Sequence, residues 1–254
     1  MKLKDIILEG MYDKLTGQIN KDIFKTLKNA INGSGTQEKP KKYKGYEVRK
    51  DPIPMVGTLQ DMFQSERRAL YVGEYSDRVS GLDVEVELKV AVTPDGVTRG
   101  KFFIDGSAEA DDEFPSIEVN IGIHPDDIGG SVFSKIQPVL RDLVRHEIEH
   151  ITHGRNSAGA KPSKIMRGDT AKRLKIRGNE ENYYKYFLLP KEVDANIHGL
   201  YSKAKTMKQP YQKVVDDYLD SLVDDGIITK NNRKLIYKTW KQRIPIIGGL
   251  PTLK

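Results

Sequence analysis

Residues 138–154 read Pro138-Val139-Leu140-Arg141-Asp142-Leu143-Val144-Arg145-His146-Glu147-Ile148-Glu149-His150-Ile151-Thr152-His153-Gly154, and this stretch decides how the chain is read. Leu140, Leu143, Val144, Ile148 and Ile151 recur at helical spacing and form one apolar stripe. Pro138 suits a first helical turn, and Gly154 suits a stop. His146 and His150 lie off the stripe, four residues apart, so their directions differ by about 40° and their heights by about 6 Å. Two imidazoles placed in this way can reach one ion. Glu147 then lies beside that ion, where its carboxylate can take a proton from a water the ion has made acidic. The pattern is His-Glu-x-x-His, and three of the chain's five histidines lie between positions 146 and 153.

A catalytic zinc takes three protein ligands and keeps one position open. The chain has no cysteine, so the third ligand must be His, Asp or Glu. Downstream, Pro190 opens a second helix whose core face is Val193, Ile197, Leu200 and Ala204. Glu192 stands in the first turn on the opposite face and is the expected third ligand. Ala195, Asn196 and Gly199 share that face and are small enough for two helices to approach closely. His153, His198 and Asp194 are the other candidates for the third position. Tyr183, Tyr184, Tyr186, His198 and Tyr201 are candidate donors to a transition-state oxyanion.

Working outward, residues 4–31 read as a helix with Ile19, Ile23 and Leu27 on its apolar side, and Asn32-Gly33-Ser34-Gly35 ends it. A lysine-rich linker occupies residues 39–44, and residues 58–70 read as another helix. The period then becomes two. Residues 83–90 alternate, Thr93-Pro94-Asp95-Gly96 turns, residues 97–104 return, Asp105-Gly106 turns again, and residues 116–123 form a third strand. The acidic run Glu109, Asp111, Asp112 and Glu113 reads as a surface loop. These elements predict a small antiparallel sheet, whose strand 116–123 could take up an extended peptide by strand addition. From 212 to 240 the pattern is helical with a break at Asp225-Gly226, and an irregular tail starts at Pro245.

The composition narrows the function. The 254 residues carry a formal charge of +6. Residues 154–180 hold eight basic side chains against two acidic ones, an excess equal to the whole net charge. A solvated loop suits that segment better than a nucleic-acid surface, because aromatic interleaving and a recognised module are missing. No apolar run spans a membrane, the N-terminus is too short in apolar residues for a signal peptide, and cysteine is absent. Together these predict a cytoplasmic protein without disulfides.

On His146, Glu147 and His150, then Glu192 with Ala195 in Lys191-Glu192-Val193-Asp194-Ala195-Asn196, the chain resembles the gluzincin metallopeptidases across roughly residues 80–205. The metzincin continuation is excluded, since position 153 is His and position 156 is Asn. The resemblance implies an α+β zincin-like domain over residues 51–206, with a small antiparallel sheet packed on the His-Glu-x-x-His helix and a second, ligand-bearing helix. Residues 1–50 would be a helical arm and basic linker, and residues 207–254 a helical extension. It further implies a zinc-dependent peptidase acting on peptide or protein substrates, with Glu147 as general base and His146, His150 and Glu192 holding Zn2+. Many members have Asp four residues after the ligand glutamate, supporting a zinc histidine; here Asn196 would take that role. The opening residues 1–9 resemble those of proteins from large tailed phages. The alternative expectation is an assembly or virion component that keeps the fold with little turnover and docks a protein partner through its terminal helices.

Overall fold

The computed structural model describes residues 3–31, 70–77, 82–109, 115–128, 131–152, 172, 176, 180–247 and 249–254. In chain order these form α1 (Leu3–Ile31), β1 (Leu70–Asp77), β2 (Leu82–Val92), β3 (Phe102–Glu109), β4 (Ser116–Ile123), α2 (Val132–Thr152), α3 (Pro190–Met207), α4 (Tyr211–Asp224) and α5 (Lys230–Ile247). Single 3-10 segments occupy Pro125–Asp127 and Glu180–Leu188. The class is α+β. The chain divides into two compact units, one of Gly17–Asp77 with Asp83–Leu140, the other of Met1–Thr16, Arg78–Leu82 and Arg141–Lys254. Among the described residues no helix is long and apolar enough to cross a membrane. The linker at 39–44, the acidic residues at 111–113 and His153 lie outside the described residues, as does nearly all of the 154–180 segment.

The first unit holds a four-stranded sheet in the order β1-β2-β4-β3. It is mixed rather than antiparallel. β2 and β4 run parallel with Val86 opposite Ile117, while β3 and β4 run antiparallel with Ile104 opposite Ile121. The reason lies in side-chain burial. Val119, Asn120, Ile121, Gly122 and Ile123 are all buried, the signature of a central strand. β3 exposes Asp105, Ser107 and Glu109 on alternate positions and takes an edge. The turn at Thr93 is therefore no tight hairpin, and β3 starts at Phe102 rather than at 97. Asp105-Gly106 does not turn either. Both residues sit inside β3, opposite Asn120 and Val119, so ladder pairing overrides a local turn preference.

Strand addition onto residues 116–123 is overturned by the same topology, since β4 is bonded on both sides. β1 was not anticipated, and Leu70, read as a helix end, is its first residue. Within this unit Ile19, Ile23 and Leu27 of α1 are fully buried. The Phe24 and Phe133 rings meet edge to face at 6.0 Å, and the Tyr75 hydroxyl donates to Asp22 Oδ2 at 3.1 Å.

α2 begins two turns earlier than Pro138 suggested. Val132 and Ile136 are buried, and the energy of burying them carries the helix through a proline that lacks the amide needed by the Ser134 carbonyl. In the second unit, α3, α4 and α5 share one apolar core built around Ile197, Val215, Leu219, Ile236 and Trp240. Trp240 has no exposed surface, and its indole N–H donates to the Phe187 carbonyl at 3.0 Å. The break at Gly226 holds: that residue has φ of 71° and its amide closes on the Val223 carbonyl at 3.0 Å. α5 runs through Pro245 to Ile247, so the irregular tail is shorter than expected.

Candidate metal centre

α2 and α3 supply the groups. On α2 the residues Val144, Ile148 and Ile151 are buried. This fixes the rotation of the helix and turns His146 and His150 to a common side. Their rings meet edge to face with centroids 4.5 Å apart. α3 starts at Pro190, whose fixed φ suits the first helical position, with Leu189 extended before it. Val193, Ile197 and Leu200 face the helical core, so Glu192 points the other way and is wholly buried.

The close approach is made possible by Gly199. A Cβ at that position would lie 2.3 Å from Asp142 Oδ1 and 2.9 Å from the Asp142 carbonyl oxygen. No other residue type fits without moving one helix.

The result is a convergence of three side chains. Glu192 Oε2 lies 3.6 Å from His146 Nε2 and 3.4 Å from His150 Nε2. Four ligands about 2.0–2.2 Å from a tetrahedral zinc stand roughly 3.4 Å from one another. The two distances from Glu192 to the imidazoles match that ligand-to-ligand separation. Ligand atoms of His146, Glu147 and His150 also lie within 4.8 Å of one another, which brings the Glu147 carboxylate, itself buried, to the same point.

Burial and neighbouring charges pull these groups in opposite directions. Burial pushes the Glu192 carboxyl up, but the His146 and His150 imidazoles beside it outweigh burial and hold the group far below its ordinary range. Burial pushes His150 down to about 3, against the pull of Glu192, so its ring is neutral with a lone pair to give. Burial also opposes charge on His146, yet the Glu192 hydrogen bond and the carboxylates of Glu147, Glu192 and Asp142 raise it. An ionised carboxylate thus lies buried against two imidazoles, the donor set that a divalent zinc ion fits.

Of the three described residues considered for the third position, Glu192 is the one placed against both rings; His153 lies outside the described residues. Asp194 is taken by Arg243, whose Nε and NH2 donate to its two oxygens at 2.7 Å each. His198 turns to Glu149, with Nδ1 3.3 Å from Glu149 Oε2, and its side chain is only 12% exposed, so it is not a surface histidine. Asn196 does not support a zinc histidine. Its Nδ2 donates to the Glu192 carbonyl at 2.7 Å, and its Oδ1 accepts from Tyr218 at 3.4 Å. His150 Nδ1 is buried with no hydrogen-bond partner among the described residues.

Among the oxyanion candidates, Tyr183 stacks on Tyr186 and packs edge-on to Phe187, and Tyr201 packs edge-on to Tyr211. Tyr218 was not considered from the sequence. Its hydroxyl is pushed well up, by burial first and then by Asp142, Tyr183 and Glu192. It reads in the sequence as one more position of an amphipathic helix, and nothing there links it to Glu192.

Asp142 gives a test of burial alone. Its side chain is 19% exposed, and burial raises its carboxyl to about 6 against the opposing pull of Lys203 and His146. A carboxyl raised in the folded state weakens the fold as pH climbs from its unfolded value near 4 to its folded value. In metal-free protein, Asp142→Asn is expected to match wild type at pH 4 and to be more stable above pH 6, by on the order of 2 kcal/mol. Urea unfolding at both values measures it, and an equal difference at pH 4 and pH 7 would remove the burial argument.

Comparisons of the chain with protein-family models, with curated proteins and with solved structures each return no match.

Proposed function

We propose that the chain is a zinc-dependent peptidase of the zincin type, similar to the gluzincins, with zinc held by His146, His150 and Glu192. The observation that carries the reading is the position of Glu192 Oε2, 3.4–3.6 Å from both imidazole Nε2 atoms, although Glu192 comes from a separate helix. An arrangement of that spacing is costly to build without an ion, because it buries a carboxylate among groups that lose their own hydration.

When bound, zinc supplies the Lewis acidity that makes a water nucleophilic near neutral pH and polarises a carbonyl. The chain's own residues do the rest. Glu147 takes the proton from the attacking water and returns it to the leaving amine, one carboxylate serving both transfers. Its burial, 4% exposed, keeps bulk water from competing for that proton. Apolar neighbours on α2, Val144, Ile148 and Ile151, hold the helix so that the three groups stay aligned.

The experiment is hydrolysis of an unfolded protein such as casein by zinc-loaded protein, followed by mass spectrometry of the fragments. Cleavage that depends on added zinc and vanishes with a chelator supports the reading. A zinc-loaded, folded protein that leaves every such substrate intact counts against it.

A further inference from the structure

Next to the ligands on the same two helices lies a second set of charges that the proposed chemistry does not use. Arg145 and Glu149 pair one turn apart on α2 at 2.6 Å, with side chains 4% and 14% exposed. Asp194 on α3 is gripped by Arg243 of α5. His198 stands between the two pairs. Its Nδ1 is 3.3 Å from Glu149 Oε2 and 3.0 Å from the Asp194 carbonyl oxygen. Both neighbours are acceptors, so Nδ1 must carry the hydrogen and donate to them jointly.

The placement matters because of what lies beside it in the chain. Glu149 immediately precedes His150, and Asp194 follows Glu192 by two residues. A donor shared by these two points ties the turn carrying one metal ligand to the turn carrying another. We infer that His198 is a positioning residue, which fixes the register of α2 against α3 and so sets the distance between the histidine ligands and Glu192. The inference rests on the zinc reading above.

Two features suit the role. The two arginines and two carboxylates balance, so the clamp needs no further charge from the imidazole. Gly199, the next residue, packs so tightly against Asp142 that a Cβ there would clash, so a small slide at this point is transmitted directly to the ligand spacing. Outer partners of this kind are worth about 10–100-fold in metal affinity.

The test uses zinc alone as probe, with the full chain, in competition against a chromophoric chelator. Wild type is compared with His198→Ala, which removes the donor, and His198→Asn, whose amide can offer an N–H near the place of Nδ1. The expected result is a 10–100-fold loss for alanine and recovery to within about threefold of wild type for asparagine. The visible spectrum of the cobalt(II)-substituted proteins should broaden and weaken for alanine only. Should the alanine chain not fold, Glu149→Gln, which keeps shape and removes charge, carries the test with the same expected loss. Equal zinc affinity in wild type and alanine, or an asparagine chain as weak as alanine, overturns the positioning role. Failure of wild type itself to bind zinc overturns the metal reading instead, so the two failures are distinct.

Discussion

Glu147→Gln should abolish zinc-dependent cleavage while leaving the zinc in place. Glutamine matches the shape of the carboxylate and fills the same buried position, but it cannot accept a proton from water or return one to the leaving amine. General acid–base catalysis contributes about 10²–10⁴-fold, and here one group serves both transfers. A fall of at least about 10³-fold in kcat is therefore expected. KM and zinc content should change little, since the ligand set is untouched. Measured turnover above a tenth of wild type, with full zinc, would mean that another base does the work. Loss of zinc together with activity would instead make Glu147 a ligand, since its carboxylate lies within 4.8 Å of ligand atoms of both histidines.

The second large effect concerns Glu192→Ala, and it is larger with metal than without. In the metal-free protein the wild-type carboxylate is wholly buried and held ionised by the two imidazoles beside it, so its removal loses that interaction and leaves a gap where the side chain was. The metal-free variant should therefore unfold below wild type. With zinc present the difference widens. The stability added by a ligand grows as RT ln(1 + [L]/Kd). Losing one of three protein ligands should exceed the 10–100-fold cost of losing an outer partner, so at least about 10²-fold in affinity is expected. Thermal unfolding with and without zinc reads both arms at once. A zinc-dependent rise in Tm equal to that of wild type would show that the third ligand lies elsewhere.

How far these groups were legible in the sequence follows from how local they are. His146, Glu147 and His150 lie within five residues, and helix geometry alone brings their side chains together. Glu192 is 42 positions further on, yet its helix announced itself through Pro190, and the small residues Ala195, Asn196 and Gly199 marked the face where a second helix could come close. Gly199 does meet Asp142 there.

The sheet was harder. Three of its four strands were found, but their partners were not, because pairing is decided between segments rather than within them. β4 entered between β2 and β3, where both of its faces are buried from Val119 to Ile123. Asp105-Gly106 favoured a turn only until the ladder to Asn120 and Val119 was formed. Pro138 was a sound helix-start signal, outweighed by the burial of Val132 and Ile136 before it. The clamp around His198 could not be read at all, since Arg243 reaches Asp194 across 49 residues and its sequence neighbourhood is merely that of a basic helix.

The central claim is that one ion is shared by two imidazoles of α2 and one carboxylate of α3. Anomalous diffraction at the zinc edge, from crystals grown with one equivalent of zinc, tests it most directly. The account predicts a single strong peak about 2 Å from His146 Nε2, His150 Nε2 and Glu192 Oε2. A peak bound elsewhere, or none with the two rings still against Glu192, would contradict it.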